Sequence, residues 1–450
     1  MDSSRGYYFI KSDRLLLYLL LLIYVILYSI LDINQLSFPI AIGSILVYVV
    51  CIVSLKKSLI DPLGCTGVVL LYFFLSHFGL SIVHALFGVD GLKYPSRTID
   101  FLSSVNYPDA LVLANIAMLS YTIAATRKQS HDSHGYNAPI INDATNNVIF
   151  FIGSLLLIYS FIVMLVMFLR GQVSASMDYK LYREAAFSNP FYSYMIVLYS
   201  FGGCFIFSVA ERRQFIFAGV LFGLTAIMLL ITGNRGEVLF PSLAIYAILR
   251  VRKIYFKKIF IVLGVIALII IIPFISSARH AGGWVQLFQI YSSNFFSSIL
   301  DTFSEIGIQI RLTVYILNEY VAGTRKLLWG YSYYECFLRW FRWILPTKIS
   351  DFVPKSFNFR SEYSTMGFNQ VAESFANFGL LGVVAFHYII GGFMGKREKT
   401  INRPIDVAIL GACCSVFINM TRNKFSFVPT HLLFIFAFYL LIRVITKISG

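Results

Sequence analysis

The chain has 450 residues, of which 58% are apolar and only 13% charged, with a mean hydropathy of +0.74. Soluble domains carry about 25% charged residues, so a water-soluble globular protein is excluded. The net charge of +15 does not point to nucleic acid, because the basic residues are scattered between apolar runs instead of gathering on one face. Membrane lipids and membrane orientation account for them.

Apolar runs near the spanning length of about 20 residues recur along the chain and predict an all-α polytopic membrane protein. The first run follows a basic flank (Arg5, Lys11, Arg14) with no small-residue cleavage site after it, and reads as a retained helix. Spans are predicted at 15–31, 36–55, 67–87, 109–125, 148–169, 191–210, 214–231, 237–249, 259–275, 371–394, 405–420 and 428–442. Twelve spans put both termini on one side. The short connections on that side, with the termini, hold 20 Lys and Arg, against 8 in the five short connections opposite. By the positive-inside rule both termini are cytoplasmic.

Three regions follow: an N-terminal bundle of nine spans over 1–275, a long outer segment over 276–370, and three C-terminal spans over 371–450. The outer segment is rich in aromatics (Trp284, Trp329, Tyr333, Tyr334, Trp340, Trp343), and 285–318 is amphipathic enough to be helical. A structureless loop of this length is unusual, so helices lying at or dipping into the outer interface are expected. Six cysteines, most of them in apolar runs, give no disulfide framework. His131 and His134 lie in a polar connection and lack a full set of metal ligands.

The most informative stretch is Thr232-Gly233-Asn234-Arg235-Gly236-Glu237. Only residues 214–249 separate Arg213 from Arg250, fewer than two perpendicular spans of about 20 residues and a turn require. The turn is therefore expected to be recessed below the outer surface, with Pro241 interrupting the span that follows. Arg235 and Glu237 then sit at a depth where ionisable groups need partners or line a cavity. The glycines and the start of a helix make this a candidate oxyanion site.

Other outer-side residues converge by topology: Tyr179 and Arg183 between spans five and six, Arg279 just after span nine, and Arg360 in the long segment. Arginine suits a pyrophosphate because its planar fork makes two parallel charge-assisted bonds and keeps its charge. Arg325, Lys326, Arg339 and Arg342 read as solvated or snorkelling residues. Two carboxylates in partly apolar surroundings, Glu305 and Glu373, are candidates for a general base acting on a sugar hydroxyl. Each also reads as the ion-pair partner of an arginine. Glu373 lies near Arg235 if spans eight and ten are neighbours, and is favoured on that ground. His77 and His84 share a helix face and read as core residues.

The chain carries a Tyr-x-x-Tyr-Arg element ending at Arg183, the Gly233–Glu237 turn, Ser-Glu-Ile-Gly at 304–307, and 372–382 (Ala-Glu-Ser-Phe-Ala-Asn-Phe-Gly-Leu-Leu-Gly), in that order. In these motifs, taken with many spans and one large outer loop before the final three, the sequence resembles the Wzy-type O-antigen polymerases. The resemblance implies an inner-membrane glycosyltransferase of Gram-negative bacteria, with a GT-C-like architecture. It would polymerise oligosaccharide repeat units carried on undecaprenyl pyrophosphate, at the periplasmic face, alongside a chain-length regulator protein. Arg235, Glu373 and Glu305 are then the catalytic candidates, and Arg183, Arg279, Glu237, Arg360 and Tyr179 the substrate-binding ones. No cofactor is expected. The first outer connection, Asp32-Ile33-Asn34-Gln35, lacks the paired acidic residues of a metal-dependent lipid-sugar transferase, so catalysis without a metal is expected. An O-antigen ligase, using the same donor, and a flippase or transporter of lipid-linked sugars are the alternatives. A transporter needs no such outer loop and usually carries internal repeats, which the sequence lacks.

Overall fold

A computed structural model describes residues 3–30, 36–88, 100–127, 143–171, 190–232, 234–255, 257, 259, 300, 303–340 and 368–449. Among these residues there is helix and no strand. Seven helical stretches are long and apolar enough to cross a membrane: α2 (Ser37–Lys57), α3 (Cys65–Phe87), α4 (Tyr107–Ala125), most of α5 (Asp143–Leu169), α7 (Arg212–Ile231), α11 (Gln370–Lys399) and Phe425–Ile448, which includes most of α13 (Val428–Ser449). Shorter apolar stretches occupy Arg14–Ile30 in α1 (Ser3–Ile30), Tyr194–Val209 in α6 (Pro190–Val209), and α12 (Pro404–Met420). The chain is a polytopic helical membrane protein. Seven helices rather than twelve meet the criteria of a span among the described residues, and the expected ninth span, 259–275, lies almost wholly outside them. One reason is length: α8 (Gly236–Val251) has 16 residues, about 24 Å at 1.5 Å per residue, short of a hydrocarbon core of about 30 Å.

The core is organised around α4, whose residues are almost all buried although it is the least apolar of the seven. A helix enclosed by other helices has no lipid to satisfy, and the more exposed α2, α5 and α7 are the most apolar. Helices α1, α2, α3 and α11 pack on α4. The contact with α11 depends on small residues: a Cβ on Gly391 would stand 2.1 Å from the Tyr121 carbonyl oxygen, and one on Gly395 2.4 Å from that of Ala125. Small residues four apart let two backbones approach, a common membrane-helix contact. Helices α6, α8 and α12 form a second packed group, joined to α4 through α3.

Polar groups sort to two ends. At one end Arg250 pairs with Asp61 at 3.0 Å, Glu398 accepts from the Thr66 amide at 2.7 Å, and the Lys399 ammonium donates to the carbonyls of Ala125 and Arg127 at 3.0 and 3.3 Å. The opposite end holds the candidate site.

Helix α11, expected as an unbroken span, is interrupted. Phe378 and Gly379 leave helical geometry, Gly379 at φ 62°, a conformation glycine adopts without steric cost. The break frees backbone carbonyls, and those of Ala376 and Asn377 accept from the amides of Leu328 and Trp329, both at 2.9 Å. Buried backbone groups need partners, so the break and the outer segment are coupled. The outer segment contributes α9 (Ile310–Val321) and α10 (Tyr331–Trp340). Helix α9 does not simply lie flat on the interface: it buries Ile310, Leu312, Val314, Ile316 and Leu317 and packs on α4 and α11.

Candidate functional site

The turn between α7 and α8 is fixed by its own polar groups. The Asn234 amide donates to the Leu229 carbonyl at 2.9 Å, and its side-chain amide donates to the Tyr192 hydroxyl at 3.1 Å and to Thr232 Oγ1 at 3.2 Å. The Arg235 carbonyl takes the first helical bonds of α8, from Val238 and Leu239. Gly236 follows directly beneath the Phe240 ring, which a Cβ there would touch at 3.4 Å. These constraints hold Arg235 buried at the head of α8.

The Arg235 guanidinium forms a two-pronged ion pair with Glu305, each of its terminal nitrogens on one carboxylate oxygen. Glu305 lies in a helical turn over residues 303–307 that is pressed against α3. A Cβ on Gly307 would stand 2.0 Å from the Leu80 amide nitrogen, and one on Gly79 2.7 Å from the Phe303 carbonyl oxygen. Only glycine at both positions permits this approach, which explains Gly307 in the Ser-Glu-Ile-Gly element.

Two further groups come from α3 and from the connection after α12. Tyr72 of α3 packs its ring on Phe240 at 5.4 Å, edge to face, and lies in the field of the Arg422 and Arg235 charges. Arg422 follows α12 in the connection to α13. Its carbonyl accepts from the Phe368 amide at 3.2 Å, tying that connection to the start of α11.

Glu373 is buried in an adjoining cluster. One carboxylate oxygen accepts from the Ser332 hydroxyl at 2.6 Å and the other from the Phe425 amide at 2.8 Å. The Asn377 side-chain amide donates to Ser332 Oγ and to the Glu373 carbonyl, both at 2.7 Å. Asn369 caps the helix by accepting from the Ala372 amide at 2.8 Å, the expected behaviour of an N-cap asparagine. Tyr333 of α10 stacks on Phe386 and meets Phe425 edge-on. Burial, and then the charge of Glu373, push its phenol well above the ordinary range and keep it protonated. Glu373 thus joins α10, α11 and the Arg422 connection.

The chain matches the O-antigen polysaccharide polymerase Wzy family over residues 14–449. It belongs to that family. It is also 27% identical, over 377 residues, to Protein CapE of Staphylococcus aureus, a match covering 82% of each chain. No solved structure matches. Family membership makes this chain a polysaccharide polymerase, with an activity of the glycosyltransferase kind.

In this Wzy-family protein, Arg235 and Glu305 meet directly, whereas Glu373 stands in the neighbouring cluster. Helices α8 and α11 each pack on α3 and α12, and Glu373 bonds Ser332 and the Phe425 amide, not Arg235. Glu237 lies half-buried in the first turn of α8 and is not the partner of Arg235. Arg325, expected to be solvated, pairs with Glu319, because the turn after α9 folds it back. His77 is a core residue, its Nδ1 3.0 Å from the Phe73 carbonyl. Tyr179, Arg183, Arg279 and Arg360 lie outside the described residues, as do His131 and His134. Among the described residues no group of three or more His, Cys, Asp or Glu is placed to hold a metal, and all six cysteines are buried and free. Sequence reasoning missed Tyr72, Ser332, Asn377 and Arg422. Arg422 was visible only as one of the few basic residues in the short outer connections, and Tyr72 only as a polar group within an apolar run.

Proposed function

We propose that the protein transfers a nascent glycan from undecaprenyl pyrophosphate to the non-reducing-end hydroxyl of an incoming lipid-linked repeat unit, at the outer face of the inner membrane. In this reading the bond between the glycan's anomeric carbon and the pyrophosphate oxygen breaks, and a bond from the acceptor oxygen to that carbon forms. The acceptor proton goes to a carboxylate, and the charge developing on the leaving pyrophosphate is met by arginine. The observation that carries it is the buried, two-pronged Arg235–Glu305 pair in a Wzy-family protein.

A pyrophosphate arriving at Arg235 competes with Glu305 for the same fork. Displaced from its arginine, Glu305 becomes a free carboxylate next to the leaving group, placed to accept the acceptor's proton. Glu373 has both oxygens occupied by Ser332 and Phe425, so we assign it the positioning of the Arg422 connection and give the base role to Glu305. Arg183, Arg279, Arg360, Tyr179 and Glu237 are proposed to bind the pyrophosphate and glycan. The wider frame of the proposal is a twelve-span, GT-C-like protein with regions 1–275, 276–370 and 371–450, both termini cytoplasmic, working without a metal and alongside a chain-length regulator.

Lipopolysaccharide from a deletion strain tests the reading. Core bearing a single repeat unit is the expected result; core alone would mean a ligase.

A further inference from the structure

Trp329 stands in the connection between α9 and α10, in a backbone conformation that its side chain makes costly. Its φ is 51°, in the left-handed region where glycine sits freely and a bulky residue is an outlier. The conformation is imposed from both sides. Leu328 is buried, and the amides of Leu328 and Trp329 are taken by the Ala376 and Asn377 carbonyls at the break in α11, both at 2.9 Å. Gly330, at φ 86°, lies so close to Phe378 that a Cβ there would stand 2.9 Å from its ring. Glycine would serve this turn at the lowest cost. The turn carries instead a tryptophan that is 75% exposed and so adds little to the packing. Backbone strain of this kind persists where the surroundings over-determine it, and it clusters at ligand contacts. The other exposed residues of the connection, Ala322, Gly323, Thr324 and Lys326, are small or polar, unlike a surface that faces lipid. The turn also adjoins the buried polar cluster: Asn377, whose carbonyl holds the Trp329 amide, donates to Ser332 Oγ, and Ser332 donates to Glu373.

We infer that the Trp329 indole is a platform for one sugar ring of the glycan substrate. A pyranose has a face of C–H groups, which packs on the electron-rich face of an indole, and a rim of hydroxyls, which suits the polar residues around it. Both backbone bonds of the turn end on the break in α11, so the strained turn fixes where the platform stands relative to the Glu373 cluster. The inference rests on the saccharide substrate of the proposed function and not on its pyrophosphate donor.

The test is calorimetric binding, to the purified full-length protein in nanodiscs, of the oligosaccharide released by mild acid from the cell's own lipid-linked repeat unit. Trp329→Gly is expected to weaken binding about tenfold, the loss of a stacked ring, while melting at or above the wild-type temperature because the strain is relieved. Trp329→Phe should keep most of the affinity, and Trp329→Leu, which keeps apolar bulk without a ring, should lose as much as glycine. If Trp329→Gly fails to fold, the difference between Trp329→Phe and Trp329→Leu decides. Wild-type affinity in Trp329→Gly, equal affinity in the Phe and Leu variants, or no binding by the wild-type protein would overturn the inference and leave Trp329 as an anchor in the membrane interface. The probe carries no pyrophosphate, so the two readings fail separately. Polymerisation by a wild-type protein whose glycan affinity ignores Trp329 overturns this inference alone, and binding through Trp329 by a protein that does not polymerise overturns the proposed function alone.

Discussion

Removing Arg235 has two separable consequences, and a double variant distinguishes them. Breaking a fully buried ion pair by deleting one partner costs about 3–5 kcal/mol, because the remaining charge stays unpaired. Here the Arg235 and Glu305 side chains are 10% and 19% exposed, so water screens part of the charge and about 1–3 kcal/mol is the expected loss of stability for Arg235→Ala. Turnover should fall further. Loss of one group that stabilises charge in the transition state costs about a hundred- to a thousandfold, and Arg235→Lys should also be impaired because a single ammonium cannot reproduce the fork. In Arg235→Ala/Glu305→Gln the orphaned charge is gone. Thermal unfolding of the purified protein should then return most of the way to wild type, while polymer formation from lipid-linked repeat units stays undetectable. If the double variant recovers polymerisation together with stability, Arg235 is only a counter-ion and the catalytic reading is wrong.

Glu305→Gln should slow turnover at least about a hundredfold with pyrophosphate binding retained, the lower end of a general-base contribution. Glu373→Gln, which must present an amide N–H to one of its two donors, should act through stability and substrate affinity; a dead Glu373→Gln beside an active Glu305→Gln would return the base role to Glu373. Gly307→Ala forces a methyl group to within 2.0 Å of the Leu80 amide nitrogen, so it should lower the melting temperature by an overpacking cost of about 1–3 kcal/mol and depress activity by moving Glu305; unchanged activity would show that the 303–307 turn does not position the site. Polymerisation by the purified protein should persist in EDTA, and activity lost to the chelator and restored by magnesium or manganese would refute catalysis without a metal. Alkaline phosphatase fused after residue 330 should be active and after residue 450 inactive, and the reverse pattern would overturn the topology.

The membrane class, and the stretches that carry the candidate site, were legible from apolar runs and from short polar interruptions within them. Arg235 stood out between glycines at the turn of two spans, Glu305 in Phe-Ser-Glu-Ile-Gly, and Glu373 at the opening of a span. Which of them meet was not legible. Arg235 and Glu305 are joined by the close approach of Gly307 to Gly79, and a glycine in a sequence does not name the backbone it lies against. The break in α11 left a trace in Gly379 and Gly382, but the apolar pattern runs through it unchanged, and the carbonyls it frees are satisfied by Leu328 and Trp329 from a distant segment. The central place of α4 was hidden for the opposite reason: enclosure by other helices relaxes the demand for apolar residues, so the most buried helix carries the weakest hydropathy signal.

The central claim is that this site joins repeat units to one another. Purified protein in nanodiscs, given a single lipid-linked repeat unit and no other acceptor, should produce a ladder of polymers and release undecaprenyl pyrophosphate, and the Arg235→Ala protein should produce neither. A wild-type protein that consumes the lipid-linked unit only when lipid A-core is added would contradict the account.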